Sequence, residues 1–170
     1  MLSNYYSMRH FTQYCPNEQW FEEQEILERE PDARLFDYTA SSLFRRRGVS
    51  VGDSLYLVTV LSGKLYLAGK MEIGEIVSLD EAARRFAGER LFQVPDHLFA
   101  RGVTRLDYTR SLPLSITARL LFFKGGRLST LKFSKPGWLD SQTLRGIREI
   151  SPESAKTLDE ILPPPELVKN

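Results

Sequence analysis

The sequence predicts an α+β domain built on a small, strongly bent β-sheet or barrel with peripheral helices. Three observations carry that expectation. Two runs rich in Leu, Val, Ile and Tyr, Ser54–Leu61 and Leu65–Val77, flank a short turn, Ser62-Gly63-Lys64. Gly69 and Gly74 interrupt the second run, where glycines mark bulges that bend a sheet. Further short strand-like segments alternate with capped helical ones, the pattern of an α+β domain.

The central hairpin is read from its turn. Gly63 takes the positive φ that a three-residue turn needs. Nearly every residue of Ser54–Leu61 is apolar, so both faces of that strand are expected to be covered. Asp53, after Gly52, stands where a turn residue belongs.

Before the hairpin, the aromatic-rich stretch Tyr5–Tyr14 reads as an opening strand or extended segment. Pro16 breaks it and Asn17 is placed to cap a helix over Glu18–Arg29, with Trp20, Phe21, Gln24 and Leu27 on one face. Arg34–Tyr38 is a short strand. Thr39–Phe44 reads as a single turn or short helix, followed by Arg45-Arg46-Arg47 and a stop at Gly48.

After the hairpin, Ser78-Leu79-Asp80-Glu81 is a capping box. The helix it opens turns Leu79, Ala82, Ala83 and Phe86 inward and stops at Gly88. Pro95-Asp96-His97 reads as a loop and Val103–Arg110 as a half-exposed strand. A second hairpin turns at Lys124-Gly125-Gly126-Arg127. Ser151-Pro152 starts a last helix with Ala155, Leu158, Ile161 and Leu162 as its apolar stripe, ended by Pro163-Pro164-Pro165. The expected organisation is one domain over 1–162, its core at about 34–90, with an extension over 91–162 completing or packing on the barrel. Residues 163–170 are read as a flexible tail.

Composition narrows the function. The net charge is +1, so any nucleic-acid contact has to come from a local basic face. A lone Cys15 rules out an internal disulfide and, with no signal-like or membrane-length apolar stretch, a cytoplasmic location without membrane association is expected. Phosphate-binding glycine loops and the G-x-S-x-G elbow are absent. One Cys and two separated histidines, His10 and His97, do not make a zinc set. A Cys–His catalytic pair would need the fold to bring them together. The expectation is therefore a non-catalytic protein that uses no cofactor or metal.

Ser41-Ser42-Leu43-Phe44, then Val51-Gly52-Asp53, Leu55-Tyr56-Leu57-Val58, and Leu67-Ala68-Gly69-Lys70 through Glu75-Ile76-Val77 form a pattern that resembles the PUA-like superfamily. Its nearest branch is the EVE domains, relatives of the YTH readers of methylated RNA. The resemblance spans about residues 34–86. It implies a PUA-like β-barrel that holds a modified or flipped base of DNA or RNA, stacking it on aromatic rings and reading its edge by hydrogen bonds. Under that resemblance the base-pocket candidates are Trp20, Tyr38, Thr39, Ser41, Ser42, Phe44, Asp53 and Trp138. Most aromatics of any domain serve its core, so each ring also has a plain packing reading. Arg45, Arg46, Arg47, Arg84 and Arg85 are the phosphate-contact candidates, with the helix dipole or glutamate pairing as their structural alternative. The competing functions are an enzyme of nucleotide or small-molecule metabolism with its site in the barrel, and a structural subunit.

Overall fold

The computed structural model describes residues 7–31, 35–87, 89 and 91–168. The chain begins with β1 (His10–Tyr14), α1 (Asn17–Arg29), β2 (Tyr38–Ser41), β3 (Ser54–Leu61), β4 (Lys64–Val77), α2 (Leu79–Arg85) and β5 (Asp96–Val103). It continues with α3 (Leu114–Thr117), β6 (Leu121–Lys124), β7 (Arg127–Thr130), β8 (Phe133–Lys135), β9 (Trp138–Leu139) and a 3₁₀ turn (Ser141–Leu144). β10 (Ile147–Ile150), α4 (Pro152–Ile161) and β11 (Glu166–Leu167) close it. Among the described residues nine strands form one mixed sheet in the order β11-β5-β4-β3-β1-β10-β6-β7, with β2 also on β5, while β8 and β9 pair separately. The fold is α+β. β1 runs parallel to β3 and antiparallel to β10.

The hairpin of β3 and β4 is tighter than the sequence suggests. Leu61 pairs with Lys64, so the turn has two residues, Ser62 at φ 49° and Gly63 at φ 72°. Positive φ at both positions matches the right-handed twist of the flanking strands, which a type I′ turn provides. Gly63 is required twice over, because its φ is left-handed and because a Cβ there would collide with the Trp138 ring. The second hairpin repeats the device, with Gly125 at φ 59° and Gly126 at φ 79° between β6 and β7.

Both bends of β4 occur at its glycines. Leu57 pairs with Gly69 but Val58 with Leu67, so an extra residue bulges there. Ile73 pairs with Ala100 and Glu75 with Phe99, which leaves Gly74 unpaired in the ladder.

β3 is covered on both faces. Tyr56, Val58 and Val60 pack with Leu65, Leu67, Phe122, Ile150, Ala155 and Leu158. On the opposite face Leu55 packs with Phe11, Phe44, Met71, Ile73, Leu98 and Ile147, and Leu57 reaches a smaller cluster of Cys15, Trp20, Ala68 and Tyr108. Fully burying one such aliphatic or aromatic side chain is worth about 1.5–3 kcal/mol. α4 is held to the first face by its cap. Ser151 Oγ accepts from Ser154 N at 3.1 Å, and Ser154 Oγ accepts from Leu121 N at 2.8 Å.

Several elements differ from expectation. Thr39–Ser41 belongs to β2, because it pairs with Asp96–Leu98, and only one irregular turn remains before Gly48, closed by Arg47 N to Leu43 O at 3.0 Å. Asp96 and His97 are buried strand residues of β5 rather than a loop, since β2 and β4 flank them. The strand expected over 103–110 is instead an irregular ribbon beside β4, joined by Thr104 N to Lys70 O and Asp107 N to Ala68 O. Pro16, not Asn17, occupies the α1 cap position, and the Asn17 amide oxygen lies 3.0 Å from Thr59 Oγ1. Phe21 is exposed, and in α2 only Ala82 is buried. Tyr5, Tyr6, Arg34 and Gly88 lie outside the described residues. No helix among the described residues is long and apolar enough to cross a membrane.

The two turns give a paired test. An added Cβ at Gly125 meets nothing within 4 Å, whereas at Gly63 it meets Trp138. Both substitutions incur the left-handed backbone penalty of about 1–2 kcal/mol, but only Gly63→Ala also displaces a ring. Urea unfolding is expected to show Gly63→Ala losing clearly more stability than Gly125→Ala. Equal losses would rule out the Trp138 contact as a constraint on the turn.

Candidate functional site

A partly open cavity of about 430 Å³ lies between the end of β1, the start of α1 and residues 35–39. Small-molecule sites commonly span about 300–1,000 Å³. Gln13, Tyr14 and Cys15 line one wall, Phe36 and Thr39 another, and Tyr108 and Phe92 the remainder. Parallel pairing of β1 with β3 sets Gln13 beside Leu57, which also lines the cavity. Thr39 Oγ1 donates to Gln13 Oε1 at 2.9 Å, which fixes the amide and leaves its NH₂ group free to donate. Phe92 is 60% exposed, an apolar ring at the wall of a polar cavity. Glu23, Glu30 and Asp37 also line it, so among the described residues its charged lining is acidic.

Two of the lining residues are set from behind. Trp20 is fully buried and does not face the cavity. Its indole Nε1 donates to Tyr108 O at 3.1 Å, and its ring meets the Tyr108 ring edge-on at 4.9 Å. Trp20 therefore positions a wall. Burial, helped by the Glu23 carboxylate, pushes the Cys15 thiol up to about 12, so it stays protonated at neutral pH.

Of the other base-pocket candidates, Tyr38 and Thr39 line the cavity, but they divide between the two faces of β2. The Tyr38 ring packs against Phe86 and Phe99, and its hydroxyl lies 2.5 Å from His97 Nδ1. His97 Nε2 lies 2.9 Å from Val94 O, which only accepts, so Nε2 carries the proton and Tyr38 donates to Nδ1. Burial raises the Tyr38 phenol. Ser41 Oγ accepts from Leu43 N at 3.0 Å, and Ser42 is exposed on the following turn. Phe44 is fully buried in the core. Asp53 is buried and accepts from Arg9 N and Ser50 N, so its carboxylate pins the turn to the start of β1. Trp138 lies over Gly63, under Lys135 Nζ at 4.7 Å from its ring. Neither Cys15 nor His10 nor His97 is brought together as a pair: Cys15 leaves β1 toward α1, and His97 is held by Tyr38.

The arginines separate into two sets. Arg45 Nε lies 2.7 Å from buried Asp96 Oδ1, an ion pair without a well-aligned hydrogen bond to that oxygen. Arg84 pairs with Glu81, and Arg85 with both Glu75 and Glu81 while lying over the Phe99 ring. Arg85 accordingly holds the Glu75 carboxyl below its ordinary range. Arg46 and Arg47 remain exposed on the turn. Among the phosphate-contact candidates these two are the cations that no described carboxylate neutralises.

No protein-family model matches the chain, and no curated protein matches it. The residues themselves therefore carry the functional argument. Gln13, Tyr14, Phe92 and Tyr108 went unrecognised in the sequence, and Cys15 was considered only as half of a Cys–His pair. Gln13 left one signal, a polar residue in a strand whose neighbour Phe11 is fully buried.

A second polar group lies on the other face of the sheet. Asp159 Oδ1 accepts from Tyr56 OH at 2.7 Å and from Lys70 Nζ at 2.9 Å. His10 Nδ1 is buried with no partner among the described residues. Burial first, then the Lys70 ammonium, holds the His10 imidazole below its ordinary value, against the opposing pull of Asp159, Asp53 and Glu149. The unfolded chain therefore binds that proton at a higher pH than the folded protein, and stability falls as pH drops through the ordinary histidine value of about 6.5. Urea midpoints measured between about pH 7.5 and 5 are expected to decline in the parent and to decline less in His10→Asn. Parallel declines would assign the acid sensitivity to other groups.

Proposed function

We propose that this protein is a non-catalytic nucleic-acid-binding module that accepts an extruded or single-stranded base, modified or not, in the cavity beside Gln13 and Thr39. The α+β fold is read as PUA-like, and the glycine bulges of β4 support that reading because each bends the sheet. The observation that carries the function is the pairing of a fixed amide with aromatic walls inside an acidic cavity. Gln13 offers N–H donors held by Thr39, Phe92 and Tyr14 offer ring surface, and the carboxylates offer acceptors. That combination suits a base bearing an exocyclic amine, which both donates and accepts along its edge. Adenine and cytosine fit it better than thymine. The same carboxylates repel phosphate, so the nucleotide's backbone has to leave the cavity for a basic surface.

The carboxylates equally favour a free amino-bearing metabolite, and the binding test separates the two readings. Fluorescence anisotropy with short single-stranded oligonucleotides, carrying modified or plain adenine or cytosine at the centre, is expected to show tighter binding to one modified base than to its parent. Phe92→Ala should weaken that binding by about 1–3 kcal/mol, the usual contribution of one stacked base. Gln13→Leu should reduce discrimination between bases more than overall affinity. Binding that is absent for the whole panel while a free nucleoside or amine binds would favour the metabolite. Identical affinity for every oligonucleotide would refute base reading.

A further inference from the structure

Charge is unevenly distributed along this nearly neutral chain. Residues 17–30 hold six glutamates and one arginine, whereas residues 113–150 hold seven cations and two carboxylates. Several cations near the N-terminal and central strands are paired, although Arg46 and Arg47 are not paired with any described carboxylate. Arg9 pairs with Glu149, Arg45 with Asp96, Lys70 with Asp159, Arg101 with Glu72 and Arg110 with Asp107. None of Lys124, Arg127, Lys132, Arg145 and Arg148 forms an ion pair with a described carboxylate.

Four of these cations line two depressions on either side of the 3₁₀ turn, Lys124, Lys132 and Arg148 the first and Arg145 the second. The hairpin of β6 and β7 and the 3₁₀ turn border an open groove of about 610 Å³ lined by Lys124, Lys132 and Arg148 with Ser129, Thr130 and Gln142, and by one carboxylate, Asp140, which accepts from Gln142 N at 2.9 Å. Arg148 Nε is buried in that neighbourhood with no hydrogen-bond partner among the described residues. An unsatisfied buried N–H of a guanidinium is unfavourable unless something accepts from it. On the other side of the 3₁₀ turn, Ser141, Arg145 and Gly146 share a depression with Tyr14. Tyr14 also lines the acidic cavity, and Tyr14 N donates to Gly146 O at 3.0 Å. The cavity, the Tyr14–Arg145 saddle and the basic groove thus adjoin in sequence.

The geometry points to a phosphate track: a single nucleic-acid strand, with one base in the acidic cavity, crosses the saddle beside Arg145 and lays its backbone in the groove of Lys124, Lys132 and Arg148. This inference rests on nucleic acid being the ligand, but not on the cavity discriminating bases. It assigns backbone contact to residues 113–150 rather than to Arg45, Arg84 and Arg85, whose charges are already met. Hydroxyls and amides such as Ser129, Thr130 and Gln142 are common partners of phosphate oxygens beside cations. Neutralising phosphates releases counterions, so binding along the track is steeply salt-dependent, with a slope near 0.7 per phosphate for a single strand.

The test uses the full chain and fluorescein-labelled single strands of about 15 nucleotides, a length at the upper end of small-domain site sizes. Affinity is measured by anisotropy between about 50 and 200 mM salt. Lys124, Lys132 and Arg145 are exposed, so their combined replacement by Gln leaves the core intact. That triple variant is expected to bind at least about tenfold more weakly, with a salt slope lower by about 2. Lys156→Gln, an exposed cation of α4 away from the path, is expected to bind as the parent does. The triple variant should keep the parent's ratio of affinities for modified and plain bases, while Gln13→Leu changes that ratio and not the slope. Loss of slope without any base preference in the parent would sink base reading and uphold the track. Parent-like affinity and slope in the triple variant overturn the track, even where base preference persists. No binding of any such strand by the parent also overturns it.

Discussion

A strand whose side chains are apolar on both faces has to be covered twice, and β3 imposes that requirement on this chain. Tyr56, Val58 and Val60 are closed over by α4 and by the strands β6 and β10. Leu55 and Leu57 are closed over by Phe11, Phe44, Ile147 and the α1 residue Trp20. The covering elements come from opposite ends of the sequence, so packing β3 forces the N-terminal strand and the C-terminal helix into one structure. The candidate cavity follows from this arrangement, because α1 reaches over the end of β1 without filling the space beside Gln13. Its walls are polar where β1 and β2 turn toward each other and aromatic where Trp20 backs Tyr108.

Electrostatics divides the molecule along the same line. Glutamates of α1 and the residue after it border the cavity, and a group of cations without a described carboxylate partner lies around the β6–β7 hairpin and the 3₁₀ turn. A ligand bearing both a hydrogen-bonding ring and anionic linkages fits such a division better than a uniformly charged one. Arg45 illustrates how the sum of charges misleads. It belongs to the most conspicuous basic run in the sequence, yet it serves to neutralise Asp96, a carboxylate only 1% exposed in β5. Arg45 N also donates to Asp96 Oδ2 at 3.3 Å, so backbone and guanidinium together meet a carboxylate whose charge would be unfavourable alone at that depth.

Local chemistry was legible in the sequence wherever one residue type has a single physical solution. Gly63 and Gly125 sit in left-handed turns, Gly69 and Gly74 mark the bulges, and Ser78 and Ser151 cap their helices as their spacing indicates. Legibility ended where pairing across the sheet decides. Thr39–Ser41 has a helix-start composition but is drawn into β2 by Asp96–Leu98, and Pro95-Asp96-His97 has a turn composition but enters a strand with both neighbours occupied. The cavity was only partly legible for the same reason. Tyr38 and Thr39 are adjacent in sequence, yet pleating sends one to His97 and the other to Gln13. Gln13 and Phe92 meet the cavity through contacts separated by most of the sheet, which no local pattern encodes. Asp53 ends the turn before β3, where it is buried, bonded to two amides and away from the cavity lining.

The position of β1 has a consequence for how the chain acquires its structure. Its partners on either side are β3 and β10, and His10 lies opposite both Ser54 and Ile150. A ribosome releases the amino end long before the second of those neighbours has been made. Until then β1 presents an open edge of unpaired amides and carbonyls, and the sheet lacks one of its central ladders. Assembly is therefore governed by contacts distant along the chain, which slows it and lengthens exposure of adhesive backbone during synthesis. A fragment ending before residue 147 would inherit that open edge permanently, so the carboxyl-terminal third is as necessary to the architecture as the central hairpin.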